Sequence, residues 1–170
     1  MSSEALWEGG GRVTSAEFRR ACGRFSTGVT IASVLDAEGT PHGLTVSSFT
    51  SVSLDPPLLL ICLGHGVSAI DVFRASAHFG INVLAENQRD LAERFTQKGQ
   101  DRFEGLKWRR GKTGVPLLAG VLAAMECAVR QRFTAGDHDI FVGEMVAARV
   151  AAGAPLIHFA SAYQRFDRSC

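Results

Sequence analysis

Between Gly43 and Pro57 the chain reads GLTVSSFTSVSLDPP, with six hydroxyl side chains (Thr45, Ser47, Ser48, Thr50, Ser51 and Ser53) set among apolar residues and closed by two prolines. A buried hydroxyl without a partner costs about 1–3 kcal/mol. Such a run is therefore either a wetted edge strand or the lining of a site for a ligand dense in hydrogen-bonding groups. Phosphate oxygens accept bonds from Ser and Thr hydroxyls and from backbone N–H groups without needing a helix N-terminus. Composition alone favours the wetted strand, because Ser and Thr are ordinary at exposed strand positions.

Other chemistry is weakly represented. Nucleophilic catalysis needs a nucleophile beside an oriented base, and the sequence has no GxSxG elbow or comparable cysteine context. A dinucleotide fingerprint is missing: Gly9-Gly10-Gly11 precedes no suitable strand, and Gly64-His65-Gly66 lacks the third glycine. The histidines His42, His65, His78, His138 and His158 show neither HxxxH nor HExxH spacing, so no metal site is expected. His138, directly after Gly136-Asp137, reads as a turn histidine. Arg109, Arg110 and Lys112 form a basic cluster after Trp108, read as a solvated loop, with a nucleotide phosphate as the alternative ligand.

A chain of 170 residues, 46% hydrophobic, is long enough for one domain with a real core. Eighteen Lys and Arg against 17 Asp and Glu leave a net charge of +1, which gives no field to draw the protein to nucleic acid or an anionic membrane. The expected partner is a small molecule or another protein. No 18-residue apolar run and no secretory pattern occurs, so a cytoplasmic protein is expected. Cys22, Cys62, Cys127 and Cys170 form no CxxC pair and are expected as reduced thiols, three packed and one at a mobile C-terminus.

These residues need a scaffold. Residues 1–13 read as a flexible lead-in to a single domain over 14–168. Thr14 and Glu17 have capping-box spacing, and Phe18, Ala21, Cys22 and Phe25 follow along one helical face. Strands are expected at Val29–Leu35, Gly43–Ser53, Leu58–Leu63 and Phe79–Leu84. Ser68 is expected to cap a short helix to about Ala75, and Asn87 a second over about Gln88–Gln97. Val121–Phe133 contains good helix formers, but Met125, Cys127, Val129 and Phe133 alternate with Glu126, Arg130 and Arg132, the pattern of a half-buried strand. A hairpin at Gly136-Asp137 leads into His138–Val150, and short strands follow at Pro155–Phe159 and Tyr163–Phe166. Many short strands with few helices predict a mainly β, antiparallel barrel.

In this order, Phe25-Ser26-Thr27-Gly28-Val29-Thr30, Gly43 to Ser53, Pro56-Pro57, Asn82-Val83-Leu84, Gly136-Asp137-His138 and Pro155-Leu156 resemble the flavin reductase-like proteins. These are small reductase components of two-component flavin-dependent monooxygenases, and the resemblance runs from about Phe18 to Phe166. It implies an FMN-binding split barrel, antiparallel and Greek-key-like, usually a homodimer. It also implies binding of FMN or FAD, with NADH or NADPH as co-substrate and a monooxygenase as partner.

Carried over by position, Thr27, Gly28, Val29 and Thr30 would edge the flavin ring. Thr45, Val46, Ser47 and Ser48 would supply backbone and hydroxyl donors, with Ser51 and Ser53 completing the cradle. Asn82 is either a ligand for the flavin tail or a strand-end hydrogen bonder. Phe95 either touches the adenylate or phosphate end or anchors its helix. The resemblance places His138 where nicotinamide enters, there to hold the carboxamide or supply a proton. His158 and Tyr163 either contact the nicotinamide nucleotide or pack. Two other readings share the barrel: a flavin- or haem-binding electron carrier or sensor, and a pyridoxamine-phosphate-oxidase-like FMN enzyme.

Overall fold

The computed structural model describes residues 12–164. The expected lead-in falls almost wholly outside the described residues, as do Cys170 and the end of the last expected strand at Phe166. The capping box is present: Glu17 N–H donates to the Thr14 hydroxyl at 3.2 Å, and Thr14 N–H donates to the Glu17 carboxylate at 2.8 Å. It opens helix α1, Ser15–Cys22, none of whose residues is buried. Strands β1 (Thr27–Gly28), β2 (Thr30–Leu35), β3 (Pro41–Val46), β4 (Thr50–Leu54) and β5 (Pro57–Gly64) follow. After them come α2 (Ile70–Ala75), β6 (His78–Val83), α3 (Arg89–Arg94), β7 (Trp108–Arg110) and β8 (Pro116–Leu118). The chain ends in β9 (Ala123–Ala135), β10 (His138–Val150), β11 (Ile157–Phe159) and β12 (Ala162–Gln164).

Seven strands form one antiparallel sheet in the order β3-β2-β6-β9-β10-β5-β4. Its two edges, β3 and β4, are joined only by Ser47–Phe49. Laid flat, seven strands would hold their edges roughly 29 Å apart, whereas the four residue steps from Val46 to Thr50 reach roughly 14 Å. The sheet must therefore curl until its edges approach. Ser48 stitches that approach: its hydroxyl donates to Cys62 C=O and accepts from Cys62 N–H, each at 2.9 Å. The mainly β, antiparallel architecture is the one expected. Among the described residues no helix is long and apolar enough to cross a membrane.

The apolar side chains sort into two cores, one on each face of the central strands. Ala32, Val34, Ile61, Leu63, Ile81 and Phe141 fill the first, under Ile70 and Phe73 of α2. Val29, Ile31, Leu84, Ala92, Phe95 and Phe103 fill the second, with Leu117 and Leu118 of β8. This explains why β2 is buried from Thr30 to Val34: it is covered on both faces, and its two hydroxyls, Thr30 and Ser33, each donate to a carbonyl.

Several local expectations are corrected. Gly43–Ser53 is two strands at opposite edges of the sheet, because Ser48 turns its hydroxyl to β5 and breaks the run. Ala69, not Ser68, precedes α2, and Gln88, not Asn87, precedes a shorter α3; neither is a side-chain cap, and the Gln88 amide oxygen instead accepts from Ala85 N–H at 2.8 Å. The basic loop is partly the hairpin β7–β8. That hairpin covers Glu126, which is 4% exposed rather than on a solvated face. Its carboxylate accepts from the N–H groups of Lys112 and Thr113 and from the Thr113 hydroxyl, at 2.7–3.0 Å. Burial pushes this carboxyl up, but those hydrogen bonds outweigh it and hold it below its ordinary value. Of the cysteines, Cys127 is buried, its thiol pushed up to about 12 by burial and then by Glu126, but Cys62 is half-buried and Cys22 exposed.

Candidate functional site

The end of the β2–β3 pair where the two strands part is the centre of the site. Thr30 and Val46 form the last pair of β2 and β3, so Thr27–Gly28 and Ser47–Ser48 leave the sheet at the same end. At this end β1 peels away to pair with β11, matching Thr27 with His158 and Gly28 with Ile157. The ring of His158 meets Tyr163 edge-on at 5.6 Å, and the Arg89 guanidinium lies 5.8 Å from the centre of the Tyr163 ring. Burial raises the Tyr163 phenol above its ordinary value. Thr27–Gly28, Ser47–Ser48, His158, Tyr163 and Arg89 thus border one rim of the curled sheet.

Hydroxyls at this rim divide sharply. Thr30 donates to Val46 C=O at 2.8 Å, and Thr45 donates to Ala92 C=O of α3 at 2.6 Å, while Ser48 is committed to Cys62. Ser47 and Ser51 are exposed, and Ser53 is half-buried beside an irregularity between Ser51 and Ser53. Thr27 is different again: its Oγ1 is buried yet has no hydrogen-bond partner among the described residues. A native fold rarely leaves such an atom unpaired. An orphaned hydroxyl beside an exposed glycine and free serines fits a ligand with hydrogen-bonding edges, as a flavin has.

Other expected site residues face inward. Val29 is 1% exposed and Val46 5%, and both belong to the cores, so only their backbone borders the rim. Asn82 is wholly buried; its amide donates to Ile31 C=O and Ser33 Oγ and accepts from Leu118 N–H at 2.8 Å. The amide protons join β6 to β2, and the amide oxygen joins it to β8. Phe95 is 1% exposed and stacks edge-on against Phe103 at 5.0 Å, anchoring α3.

His138 is reached from the rim through the stitched edge: Ser48 binds Cys62, Cys62 pairs with Ile140, and His138 pairs with Gly64. Its exposed ring bonds Asp137 through Nδ1 at 2.7 Å, and this imidazole holds the Asp137 carboxyl below its ordinary value. Next to it, strand alternation turns Asp139 inward, 5% exposed. Asp139 accepts from Arg74 Nε at 2.7 Å, from the Thr134 hydroxyl at 3.0 Å, and pairs with His65 Nε2 at 3.0 Å. The Arg74 guanidinium, then His65, holds this carboxyl down to about 2. No spacing in the sequence groups Asp139, Arg74 and His65; the one local signal is the alternation along β10, which sets Asp139 on the face opposite to exposed His138 and so calls for a cation beside it.

A cavity of about 390 Å³ lies between Ala85–Asn87, Leu117, Leu118, Gly120–Leu122 and Ala151–Ala154, with Arg109 and Arg149 on its walls. None of the expected site residues lines it. The rim, with its orphaned hydroxyl, is the better candidate. Among the described residues no cluster of His, Cys, Asp or Glu could hold a metal.

The model of the flavin reductase like domain matches residues 22–167. The chain belongs to this family. It is 42% identical over 99% of its length to the FMN reductase (NADH) SmoA of Agrobacterium fabrum, covering 95% of that protein. It is 44% identical over 76% of its length to a probable flavin reductase of Rhizobium meliloti, of which it spans 42%. Among solved structures, the NADH:FAD oxidoreductase of Streptomyces globisporus in complex with NAD and FAD fragments superposes with a TM-score of 0.86 at 36% identity, covering 91% of this chain and 93% of that one. The flavin reductase fold is thus matched over nearly the whole described length.

Proposed function

We propose that the protein is an NAD(P)H:flavin oxidoreductase of the EC 1.5.1 type, which reduces FMN or FAD and supplies the reduced flavin to a partner monooxygenase. The observation that carries this reading is the rim itself, with the unpaired Thr27 hydroxyl beside exposed Gly28 and Ser47. The family membership and the names of the relatives support it, including the reductase components of trigonelline and 4-nitrophenol monooxygenases.

The flavin, when bound, supplies the two-electron acceptor, and the nicotinamide nucleotide supplies the hydride. The protein's share is to orient and to exclude water, which is why no catalytic triad is needed. Thr27, Ser47 and Ser51 would donate hydrogen bonds to the flavin, with backbone N–H groups near Gly28 and Ser48. Thr30, Thr45 and Ser48 keep the strands that carry them in place. Arg89 and Tyr163 offer a cation and an aromatic face for a nucleotide tail. His138, across the stitched edge, would meet the nicotinamide carboxamide or move a proton at its free Nε2. A homodimer is part of the reading, as the family resemblance implies.

The test is steady-state oxidation of NADH and of NADPH by purified protein, with and without added FMN or FAD. Oxidation that depends on added flavin is expected. Equal rates with and without flavin would contradict the reading.

A further inference from the structure

His138 sits at the end of a hairpin, the kind of place where a side chain wanders unless something fixes it. Here the residues on both sides of it are tied to one distant segment. Asp137 C=O accepts from His65 N–H at 2.9 Å. The Asp139 carboxylate receives the side chains of His65, from the β5–α2 turn, and Arg74, near the end of α2, and also the Thr134 hydroxyl across the hairpin. The strand pairing adds Gly64 opposite His138, and a Cβ at residue 64 would lie 3.4 Å from His138 Nε2, so the imidazole rests on the glycine. His138 projects outward while its neighbour is pinned inside.

We propose that Asp139, Arg74 and His65 form a clamp that positions His138 for the reductase reaction, making them positioning residues for a site they do not touch. The proposal rests on the reading of His138 as a site residue. The physical case is that the clamp joins three elements through a buried carboxylate and an arginine. Replacing Arg74 takes the charged partner from a buried carboxylate, leaves it only His65 and the Thr134 hydroxyl, and loosens the tie between α2 and the hairpin. Arg74 is the partner to change, because its side chain is 43% exposed and belongs to neither core, so the fold does not depend on its packing.

Two readouts separate the clamp from the function it serves. In the flavin-free protein, Arg74→Gln should broaden or split the His138 ring signal in the NMR spectrum. It should also speed hydrogen exchange of the His65 amide about tenfold or more, with the Ile81 amide unchanged as a core reference. Arg74→Lys, which keeps the cation, should restore both. An unchanged His138 signal and unchanged exchange would overturn the clamp whatever the activity.

In anaerobic single-turnover reduction of added flavin by NADH, Arg74→Gln should then slow reduction about ten- to a hundredfold, with flavin affinity unchanged. In a His138→Ala background it should cause no further loss. The same loss in both backgrounds, or none in either, would overturn the positioning role. If His138→Ala alone leaves reduction at full rate, the reading of His138 fails, and the positioning role falls with it while the NMR result still reports the clamp. Asp139→Asn, checked by thermal melting to be folded, should repeat the Arg74→Gln pattern.

Discussion

Thr30, Thr45 and Ser48 lie within a few residues of Thr27 and Ser47, yet the two sets of hydroxyls do opposite things. The first set is spent: each hydroxyl holds a carbonyl of a neighbouring element, and Ser48 holds an N–H as well. The second set is unspent, with Ser47 open to solvent and Thr27 buried without a partner. The difference is that one set of hydroxyls ties the strands together while the other stays unpaired beside them. The unpaired set is the one proposed to hold the flavin. A substitution in the first set should lower stability, whereas one in the second should lower flavin affinity alone.

The inner polar network can be broken most severely at Asn82. Asn82→Ala leaves Ile31 C=O, the Ser33 hydroxyl and Leu118 N–H without this partner in the interior, at an expected cost of about 3–5 kcal/mol. Chemical denaturation should show it, and flavin titration of the folded fraction should not. Ser48→Ala removes both bonds to half-buried Cys62 and should cost about 2 kcal/mol. If Ser48 instead touched flavin, affinity would fall while the denaturation midpoint stayed in place.

Hydroxyl bonds do not titrate, so pH separates them from the charged clamp. The Asp139 carboxyl is held down to about 2, below its unfolded value of about 3.9. Its contribution is therefore complete above about pH 4 and is lost as pH falls towards 2. Acid unfolding followed by circular dichroism should lose part of its steepness in that window in Asp139→Asn. Thr45→Val, which deletes a single bond to Ala92 C=O, should cost only about 1 kcal/mol, with flavin affinity little changed.

The strands were legible where the pattern was local. The β-branched run that became β2, the apolar run of β5 and the alternation along β9 all predicted their elements within a few residues. What escaped was set by distant parts of the chain. Ser47–Phe49 carries the same residue types as a strand and becomes a link only because Cys62, 14 residues on, takes the Ser48 hydroxyl. Glu126 looked solvated because nothing near it in sequence announces the hairpin that covers it. The clamp joins residues separated by 65 and 74 positions, beyond the reach of any periodicity. The flavin-reductase resemblance, carried by an ordered set of short motifs, pointed to the segments that form the rim, but not to which of its side chains face outward. Asn82 and Phe95 resemble site residues by position and are interior by packing.

The direct test of this division is Thr27→Val, which replaces the unpaired hydroxyl by a methyl group of the same shape. Flavin titration followed by fluorescence should be run beside thermal melting of the flavin-free protein. Relief of a buried unsatisfied group should leave the variant equally stable or more stable by about 1 kcal/mol. Its flavin affinity should drop about tenfold through loss of one bond. Unchanged affinity, or a melting temperature that falls together with it, would contradict the claim that this hydroxyl is kept for the flavin.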